Sequence, residues 1–454
     1  MATSYLTRAA QTASSNTTMT ISLWFKRSKI GSGTIWMHEN QASHNAKLLL
    51  FFSGTNDQIS MQSYNGSAEY TLTPTRKFRD LNAWYNVQAV WNTTVATTAD
   101  RMQIWVNGVR ETSFSTANYP SRNHEIDLSN KAHQIGRYGS SGGYSNYWDG
   151  LMSQFILVDG QAYDASKFAE IDSVTGEWKA KTNPTGITYG NRGVWLKMEN
   201  SSNLGLDSSG KNNNYTSSGV VRTPSCPNNV FCTMNPLARY GSNLNYSNAN
   251  NTTTGSTNNW SMGSSTLGAS TGKYYYEYKL ITAGTGSGYF KVGFISGDAS
   301  SNSATHIANA SLDGGYAFYC SDGGLEVRTD DAIISGYSKS DLGVSFSMND
   351  IMCLAVDMDN KKVYFRKNGD AWIKSANPVN GTYGLDISSD YTVGKAMIPA
   401  VGIYYPGVGS LNFGNGYFGT TAVSSAGTNA SGNGIFEYDV PTGYTALSTK
   451  GLNL

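Results

Sequence analysis

The sequence predicts an all-β chain made of two antiparallel β-sandwiches, and three observations predict it. Glycine is abundant at 49 residues, and tyrosine is the commonest aromatic at 29. Charged residues make up only 14% of the 454, unlike the Leu/Glu/Lys/Ala mix of helical proteins. Short apolar runs with period-two alternation recur between polar turns, and they fall into two blocks. The length also exceeds that of one ordinary domain.

The first block, residues 1–205, opens with "TMTISLWFKRS". There Met19, Ile21, Leu23 and Phe25 alternate with Thr20, Ser22 and Trp24, a strand with one face inward. Further strands are expected at "KLLLFFS", "QISMQSY", "WYNVQAVWN", "RMQIWVNG" and "LMSQFILVDG". "VNG" at 106–108 is a hairpin signal, because Asn-Gly favours the type I′ turn. One helix is expected, "DASKFAEI" at 164–171, capped by Asp164. After "RGVWLKMEN" a polar joint is expected over 206–236, broken by Pro224, Pro227 and Pro236.

The second block, residues 237–425, repeats the style. Strands are expected at "GKYYYEYKL", "YFKVGFIS", "YAFYCSD", "IMCLAVDMD", "KVYFRKNGD", "MIPAVGIYY" and "SLNFGNG". In "IMCLAVDMD" both faces are apolar, Met352, Leu354, Val356 and Met358 on one and Cys353 and Ala355 on the other, so the strand is central. Residues 426–454 read as a C-terminal extension. Both blocks contain a hairpin whose second strand ends in Asn-Gly.

Several classes are disfavoured. A net charge of +1 gives no electrostatic footprint for nucleic acid or an anionic membrane. No segment approaches the ~20 apolar residues of a membrane-spanning helix. The start, "MATSYLTRAAQTASS", has no apolar core, so a secretory leader is not expected. Four cysteines do not make a disulfide scaffold. Cys226 and Cys232 flank "PNNVF" and are close enough in sequence to pair, but thiols fit a chain made in a reducing cytosol better. Cys320 and Cys353 fall inside strands as small apolar residues.

Catalytic chemistry finds little support. Glycoside hydrolases of sandwich fold set carboxylates on alternate positions of one strand. "EIDLSN" offers Glu125 and Asp127, and "EIDSVTG" offers Glu170 and Asp172, yet each lacks the third carboxylate. Glu125 and Asp127 therefore read as polar strand-edge residues. The five histidines, His38, His44, His124, His133 and His306, show no metal spacing. The Gly-rich run in "GTGSGYF" leads into a strand, not the helix a phosphate cradle needs. "DMDN" at 357–360 is turn chemistry with too few oxygens for calcium. No catalytic residue, metal or cofactor is expected.

Two sets of segments carry resemblances. "TISLWFKRS", "WYNVQAVWN", "MQIWVNGVRET", "QIGRYGSSGGYSNYWDGLMSQFILVDGQAYDASKF" and "DSSGKNNNYT" together resemble laminin-G/concanavalin-A-like domains. "GKYYYEYKL", "VGFIS", "MCLAVDMDNKKVYFRKNG" and "IPAVGIYYPGVGSLNFG" resemble a SPRY domain in their order. The pairing, with "PNNVFCTMNPL" between and "VPTGYTALSTKGLNL" at the end, is similar to structural proteins of tailed bacteriophages. The resemblance implies a concanavalin-like jelly roll plus a SPRY-like sandwich. It also implies a tail or head fibre or appendage on the exterior of the virion, made in the host cytoplasm. The partners implied are other virion proteins and a host cell-surface glycan or envelope protein, with a homo-oligomeric assembly. An architectural decoration or connector protein is the rival, and a variant glycan hydrolase a third reading.

The candidate contact residues are aromatic. In "GRYGSSGGYSNYWDG", Trp148 enters a strand and belongs to the core, as "YWDG" does in the family-like pattern. Tyr138 and Tyr144 sit in the Gly/Ser loop before it, where they either meet a ligand or cover the sandwich edge. Tyr404 and Tyr405, before Pro406 and Gly407, take loop positions in the second block. Trp372, just past an Asn-Gly turn, is a further candidate.

Overall fold

A computed structural model describes residues 4–39, 47–54, 56–64, 68–126, 131–140, 143–173, 176–240, 243–256, 258–283, 289–298, 306–310, 314–321 and 323–453. His44, Asp127, Gly142 and residues 284–288 of the Gly-rich run lie outside the described residues. The chain divides into two compact units, residues 1–222 and 223–454.

Unit 1 begins with β1 (Tyr5–Arg8), β2 (Thr18–Arg27), β3 (Gly33–Glu39), β4 (Lys47–Phe52), β5 (Ile59–Tyr64) and β6 (Glu69–Pro74). It continues with β7 (Tyr85–Asn92), β8 (Met102–Val106), β9 (Val109–Arg110), β10 (Phe114–Ala117), β11 (Ala132–Ile135) and β12 (Tyr138–Ser140). It ends with β13 (Gly143–Ser145), β14 (Gly150–Asp159), β15 (Ala169–Ile171), β16 (Trp178–Ala180), β17 (Val194–Leu196) and β18 (Thr216–Ser218). Among the described residues one sheet runs β10-β6-β5-β4-β3-β11-β1-β18 and the other β17-β14-β2-β7-β8-β9. Leu23, Phe25, Trp36, Leu50, Trp91, Ile104 and Phe155 are buried in the main core.

The expectation for β2 needs correction. Its second face is buried too, with Thr20, Ser22 and Trp24 at 0, 3 and 5% exposure. The segment after β14 covers it. Thr20 Oγ1 donates to the Gln161 carbonyl (2.8 Å) and accepts from the Tyr163 N–H (3.1 Å). Ile156, Val158, Phe168 and Trp195 form a second small core. This covering replaces the helix expected at 164–171. Asp164 caps a single 3-10 turn, Ala165–Lys167, and the chain then enters β15. Ala165, Phe168 and Ala169 are buried, and from Ala169 the chain pairs with β16 as a ribbon instead of continuing the turn.

Unit 2 begins with β19 (Met234–Tyr240), β20 (Leu244–Ser247), β21 (Thr252–Gly255), β22 (Ser261–Ser265), β23 (Lys273–Thr282) and β24 (Phe290–Ser296). It continues with β25 (Tyr316–Ser321), β26 (Gly324–Thr329), β27 (Ala332–Ile333), the one-turn helix α1 (Lys339–Leu342), β28 (Ile351–Asp357) and β29 (Lys362–Lys367). It ends with β30 (Leu385–Asp386), β31 (Met397–Ile403), β32 (Val408–Asn412), β33 (Tyr417–Phe418), β34 (Thr421–Ala422) and β35 (Thr445–Ala446). Among the described residues its sheets run β19-β22-β31-β24-β25-β26-β27 and β20-β21-β32-β23-β28-β29-β30. Every residue of β28 is buried, as two apolar faces require.

The shared Asn-Gly pattern has one structural role in both units. Asn107 and Asn368 have φ of 48° and 52°. Their side-chain oxygens accept from the N–H of Asn86 (2.9 Å) and Ile351 (2.8 Å), at the start of the partner strand. Their own N–H groups donate back to the carbonyls of those residues at 2.9 and 2.7 Å. In unit 1 the pair also closes a tight hairpin, Val106 opposite Val109, with Gly108 at φ 78°.

Neither the joint nor the tail is a separate segment. Tyr215 is buried in unit 1, where β18 pairs with β1. Phe231, Cys232 and Met234 are buried in unit 2. Residues 426–453 cover the outer face of the β23–β28 sheet, with Phe436, Val440, Tyr444 and Ala446 buried against Tyr275, Cys353 and Tyr364. The prolines break the helix and strand pattern without preventing burial of the apolar residues between them.

Glu277 ties this cover down. Its carboxylate is wholly buried and accepts from the Tyr275 hydroxyl (3.1 Å), Asn412 Nδ2 (3.1 Å), and the N–H groups of Glu437 (3.0 Å) and Tyr438 (2.9 Å). Burial pushes its pKa up to about 7, against the lowering effect of these four donors.

Two predictions follow from this packing. Fragments 1–222 and 223–454, expressed separately, each show a cooperative thermal transition by circular dichroism. Fragments ending at 205 or starting at 237 lose Tyr215 or Phe231 and Met234, and are less stable by roughly 3–5 kcal/mol per emptied aromatic site. Second, a carboxyl with a raised folded pKa binds its proton more tightly in the folded chain, so this contribution falls as pH rises from about 4.5 to about 7. His306, whose pKa burial lowers, acts with the opposite sign nearby in pH. Melts of the full chain and of Glu277→Gln across pH 4.5–8 therefore differ in slope, with the variant's unit 2 transition missing the Glu277 decline. Equal slopes would exclude a titrating Glu277.

Candidate functional site

The five sequence candidates fall on separate surfaces. In unit 1, Tyr138 and Tyr144 lie on the β12–β13 ribbon, Tyr138 opposite Ser145 and Tyr144 opposite Gly139. This corrects the expected loop: glycines at 139 and 143, the latter at φ 110°, let the two strands meet closely. Directly opposed residues share a face, so Tyr138 and Tyr144 point to opposite faces. They do not form one platform.

Tyr144 is half-buried, and its ring is occupied. The Arg137 guanidinium lies 3.4 Å from its centroid and 3.3 Å from that of Tyr5. Arg137 is itself buried and donates through Nε to Gln134 Oε1 (2.9 Å). Tyr144 thus closes the outer side of a buried cation, a packing role. Tyr138 instead meets Lys47, whose Nζ is 3.3 Å from its hydroxyl and 5.7 Å from the ring of Tyr64. Trp148 precedes β14 instead of entering it and is half-buried, packed against the core edge-on to Phe25 (5.5 Å) and stacked on Phe52 (5.9 Å). A Cβ at Gly150 would stand 3.0 Å from its ring.

In unit 2, Tyr404 and Tyr405 follow β31 and join a larger group. Tyr404 packs on Trp260 (5.4 Å), Tyr289 (6.1 Å) and Tyr405 (4.7 Å). Tyr405 packs on Tyr289 (5.2 Å), and Trp260 on Tyr319 (5.7 Å). All five rings are partly exposed. The Tyr404 N–H donates to the Tyr289 carbonyl (3.1 Å), which holds the two chain segments together. Beneath the rings Lys291 is buried, with Nζ 4.6 Å from the Trp260 ring and 5.0 Å from that of Tyr319. Its Nζ lies 2.8 Å from His306 Nδ1, which is also 2.9 Å from the Ile307 carbonyl, and His306 Nε2 faces Asp331 at 3.3 Å. Burial, helped by the Arg328 charge, pushes the Lys291 pKa down to about 8. The cluster offers flat apolar faces ringed by hydroxyls and by the cations Arg328 and Lys291. Such a surface suits the apolar face of a sugar ring or a side chain of a protein partner.

Trp372 lies elsewhere in unit 2. Arg366 stacks on it (4.7 Å), and the two border an open cleft of about 290 Å³ with Pro378, Val379, Val440 and Pro441. Arg366 also donates to the Asp439 carbonyl (2.8 Å), so the cleft is walled by the C-terminal cover.

The carboxylates are not gathered for catalysis where they are described. Glu125 is exposed and stands between strands, not on a strand edge as expected. Ile126 is the anchored residue, donating to the Asn16 carbonyl at 2.7 Å. Glu170 lies opposite Lys179 on the β15–β16 ribbon, and Asp172 holds Lys179 Nζ at 2.8 Å. Asp357 is buried against Lys273 (3.0 Å), and its oxygens also accept from Asp359 and Asn360, so "DMDN" is a turn. Among the described residues no three His, Cys, Asp or Glu side chains group to hold a metal ion. All four cysteines are free thiols, Cys226 half-buried and the others buried.

Sequence reasoning found Tyr404 and Tyr405 but not Trp260, Tyr289, Tyr319 or Lys291. One signal was available. In "YFKVGFIS", Tyr289 and Lys291 break an otherwise apolar run on one face.

Residues 1–164 match a laminin G family model described as "Concanavalin A-like lectin/glucanases superfamily". No curated protein matches the chain. Among solved structures, the SPRY domain of human HERC1 is similar at 15% identity over 39% of this chain and 96% of that one, with a TM-score of 0.29. A heptameric SAP-like pentraxin from Limulus polyphemus is similar at 17% identity over 40% of this chain and 86% of that one, with a TM-score of 0.29. The LG1-3 region of the laminin alpha2 chain is similar at 8% identity over 90% of this chain and 60% of that one, with a TM-score of 0.34.

The unit 1 geometry predicts that Tyr144→Ala costs about 1–2 kcal/mol by uncovering Arg137. Trp148→Ala costs more, roughly 3–5 kcal/mol. Tyr138→Ala stays within about 0.5 kcal/mol, as surface changes do. Chemical denaturation of the full chain measures all three, and a Tyr144→Ala cost near zero would restore the ligand-contact reading of that ring.

Proposed function

We propose that the chain is a non-enzymatic recognition protein carried on the exterior of a virion. In this reading it binds a host-surface glycan or envelope protein and assembles as a homo-oligomer with other virion proteins. The observation that carries the reading is the partly exposed cluster of Trp260, Tyr289, Tyr319, Tyr404 and Tyr405. Monomeric proteins seldom leave such a patch without a use, and aromatic side chains dominate contact surfaces. The matched family over residues 1–164 is named for lectins and glucanases, which points to carbohydrate as the first ligand class to test. Lectin-type binding is preferred to hydrolysis because Asp172 is neutralised by Lys179 and Glu125 is exposed outside any strand. Weak single sites suit an oligomer, since linked copies raise the effective concentration of each.

The test compares Tyr404→Ala with the wild type. Attachment to host cells and signal on a glycan array fall at least roughly tenfold, as loss of a hot-spot ring gives. The melting temperature moves little, because the ring is partly exposed and packs on other rings of the cluster. Unchanged attachment with an unchanged melt would remove the cluster as the site. Labelling of purified virions with an antibody to the chain tests the location.

A further inference from the structure

The cleft beside Trp372 shares no residue with the cluster around Tyr404, and its chemistry differs. It is open to solvent, holds about 290 Å³, and is walled by residues 372–379 and 439–441 together with Arg366. Hydrogen bonds hold these walls in place. Arg366 Nη2 donates to the Asp439 carbonyl (2.8 Å), and the Tyr444 hydroxyl donates to the Pro378 carbonyl (3.4 Å). Asn377 fixes the turn in the first wall. Its Oδ1 accepts from the N–H groups of Val379 (2.9 Å) and Asn380 (3.2 Å), and its backbone pairs with Thr382.

The open polar groups of this cleft are donors. Arg366 carries a charge, and among the described residues no carboxylate oxygen lies within ion-pair reach of it. Its Nε is buried, Cys353 and Tyr275 lie against the guanidinium, and Nη2 is taken by Asp439. Nη1 has no acceptor of normal geometry among the described residues, and neither have Trp372 Nε1 and Asn377 Nδ2. The neighbouring oxygens are occupied: Asn377 Oδ1 by two N–H groups, and the carbonyls of Pro378 and Asp439 by Tyr444 and Arg366. The Asp439 carboxylate does not supply the missing acceptor. Its Oδ1 is held by the Thr428 N–H (2.6 Å) and hydroxyl (2.8 Å), and the residue is exposed, so water screens its field.

The remaining surface is apolar. Pro378, Val379, Val440 and Pro441 line it, and Val379 is left 57% exposed at its edge. A preformed cleft with apolar walls and a few converging polar groups is the usual form of a ligand site.

We propose that this cleft receives the carboxy-terminal residue of a partner polypeptide whose last side chain is apolar. The carboxylate meets Arg366 Nη1, a charge-assisted contact, while Trp372 Nε1 and Asn377 Nδ2 donate to its second oxygen or to the preceding peptide carbonyl. The side chain lies against Pro378, Val379 and Pro441. Charge complementarity selects an anion, and an inorganic one would leave the apolar walls bare. A free amino acid would bring its ammonium group beside the guanidinium, where a peptide end has a neutral amide. Sugar hydroxyls donate as well as accept, and the occupied oxygens of the cleft give them little to donate to.

The experiment titrates the full chain with acetyl-Gly-Gly-Leu by calorimetry. The comparisons are the same peptide as its carboxy-terminal amide, acetyl-Gly-Gly-Ser, and isovalerate, a free acid with the same branched end. The acid peptide binds, and the amide binds at least roughly tenfold more weakly, as loss of a charge-assisted contact gives. The serine peptide and isovalerate are also weaker, and added salt weakens the acid peptide. Asn377→Asp keeps the oxygen that caps Val379 and Asn380 but puts a negative charge in place of the donor. It lowers affinity at least roughly tenfold with an unchanged melting temperature. Arg366→Gln does the same to affinity. It also loses the Asp439 contact, so Asn377→Asp decides if that variant does not fold. Tyr404→Ala leaves peptide binding unchanged, which separates this cleft from the aromatic cluster. Equal binding of acid and amide, or no binding at roughly 5 mM peptide, would overturn the proposal. Isovalerate as tight as the peptide would assign the cleft to a free acid, and a glycan-array signal lost in Asn377→Asp would assign it to a saccharide. Either result overturns the polypeptide partner.

Discussion

A sheet with two apolar faces must be covered twice, and this constraint organises both units. In each, a partner sheet covers one face of the central strands. The other face is covered by chain that has little regular structure of its own. In unit 1 the segment after β14 does this, pinned by Thr20 to Gln161 and Tyr163. In unit 2 the residues after β32 do it, pinned by the Glu277 carboxylate to Glu437 and Tyr438. The pins differ in kind. A threonine hydroxyl both donates and accepts at small cost. A buried carboxylate without a cation in hydrogen-bond reach depends on four donors, and its raised pKa records that burial outweighs them.

The strands were readable because alternation and Asn-Gly turns are local signals. Met352, Leu354, Val356 and Met358 against Cys353 and Ala355 identified a central strand before any packing was known. The covers were not readable for the same reason. In "IFEYDVPTGYTALS" Phe436, Val440 and Tyr444 are spaced by four, but Pro441 and Gly443 break any helix between them, so the segment passed for a tail. Only the sheet it lies on, through Tyr275 and Tyr364, selects those residues for burial. The short run at 164–171 failed in the opposite sense. It has a cap in Asp164, but the capped turn is overruled when Phe168 is drawn onto the outer face of the sheet.

The candidate residues divide along a similar line. Tyr144 reads as exposed because glycines and serines surround it in sequence. Its neighbour in space is Arg137, brought beneath it by the ribbon's register. Tyr404 and Tyr405 read as loop residues and are, yet their company of Trp260, Tyr289 and Tyr319 comes from separate strands and turns. Adjacency in sequence reports exposure poorly when the contacts that decide it are long-range.

One chemical habit recurs through the chain and bears on which rings remain open to a ligand. With 29 tyrosines, 10 tryptophans and few charges, cations are placed on aromatic faces. Arg137 lies between Tyr5 and Tyr144, Arg8 over Tyr215, Lys291 over Trp260 and Tyr319, and Arg366 over Trp372. A ring face that already holds a cation has spent its negative quadrupole and part of its apolar area. Among the described residues Tyr404 and Tyr405 carry no such cation and pack only edge-on or tilted against other rings. Their faces keep both the area and the quadrupole.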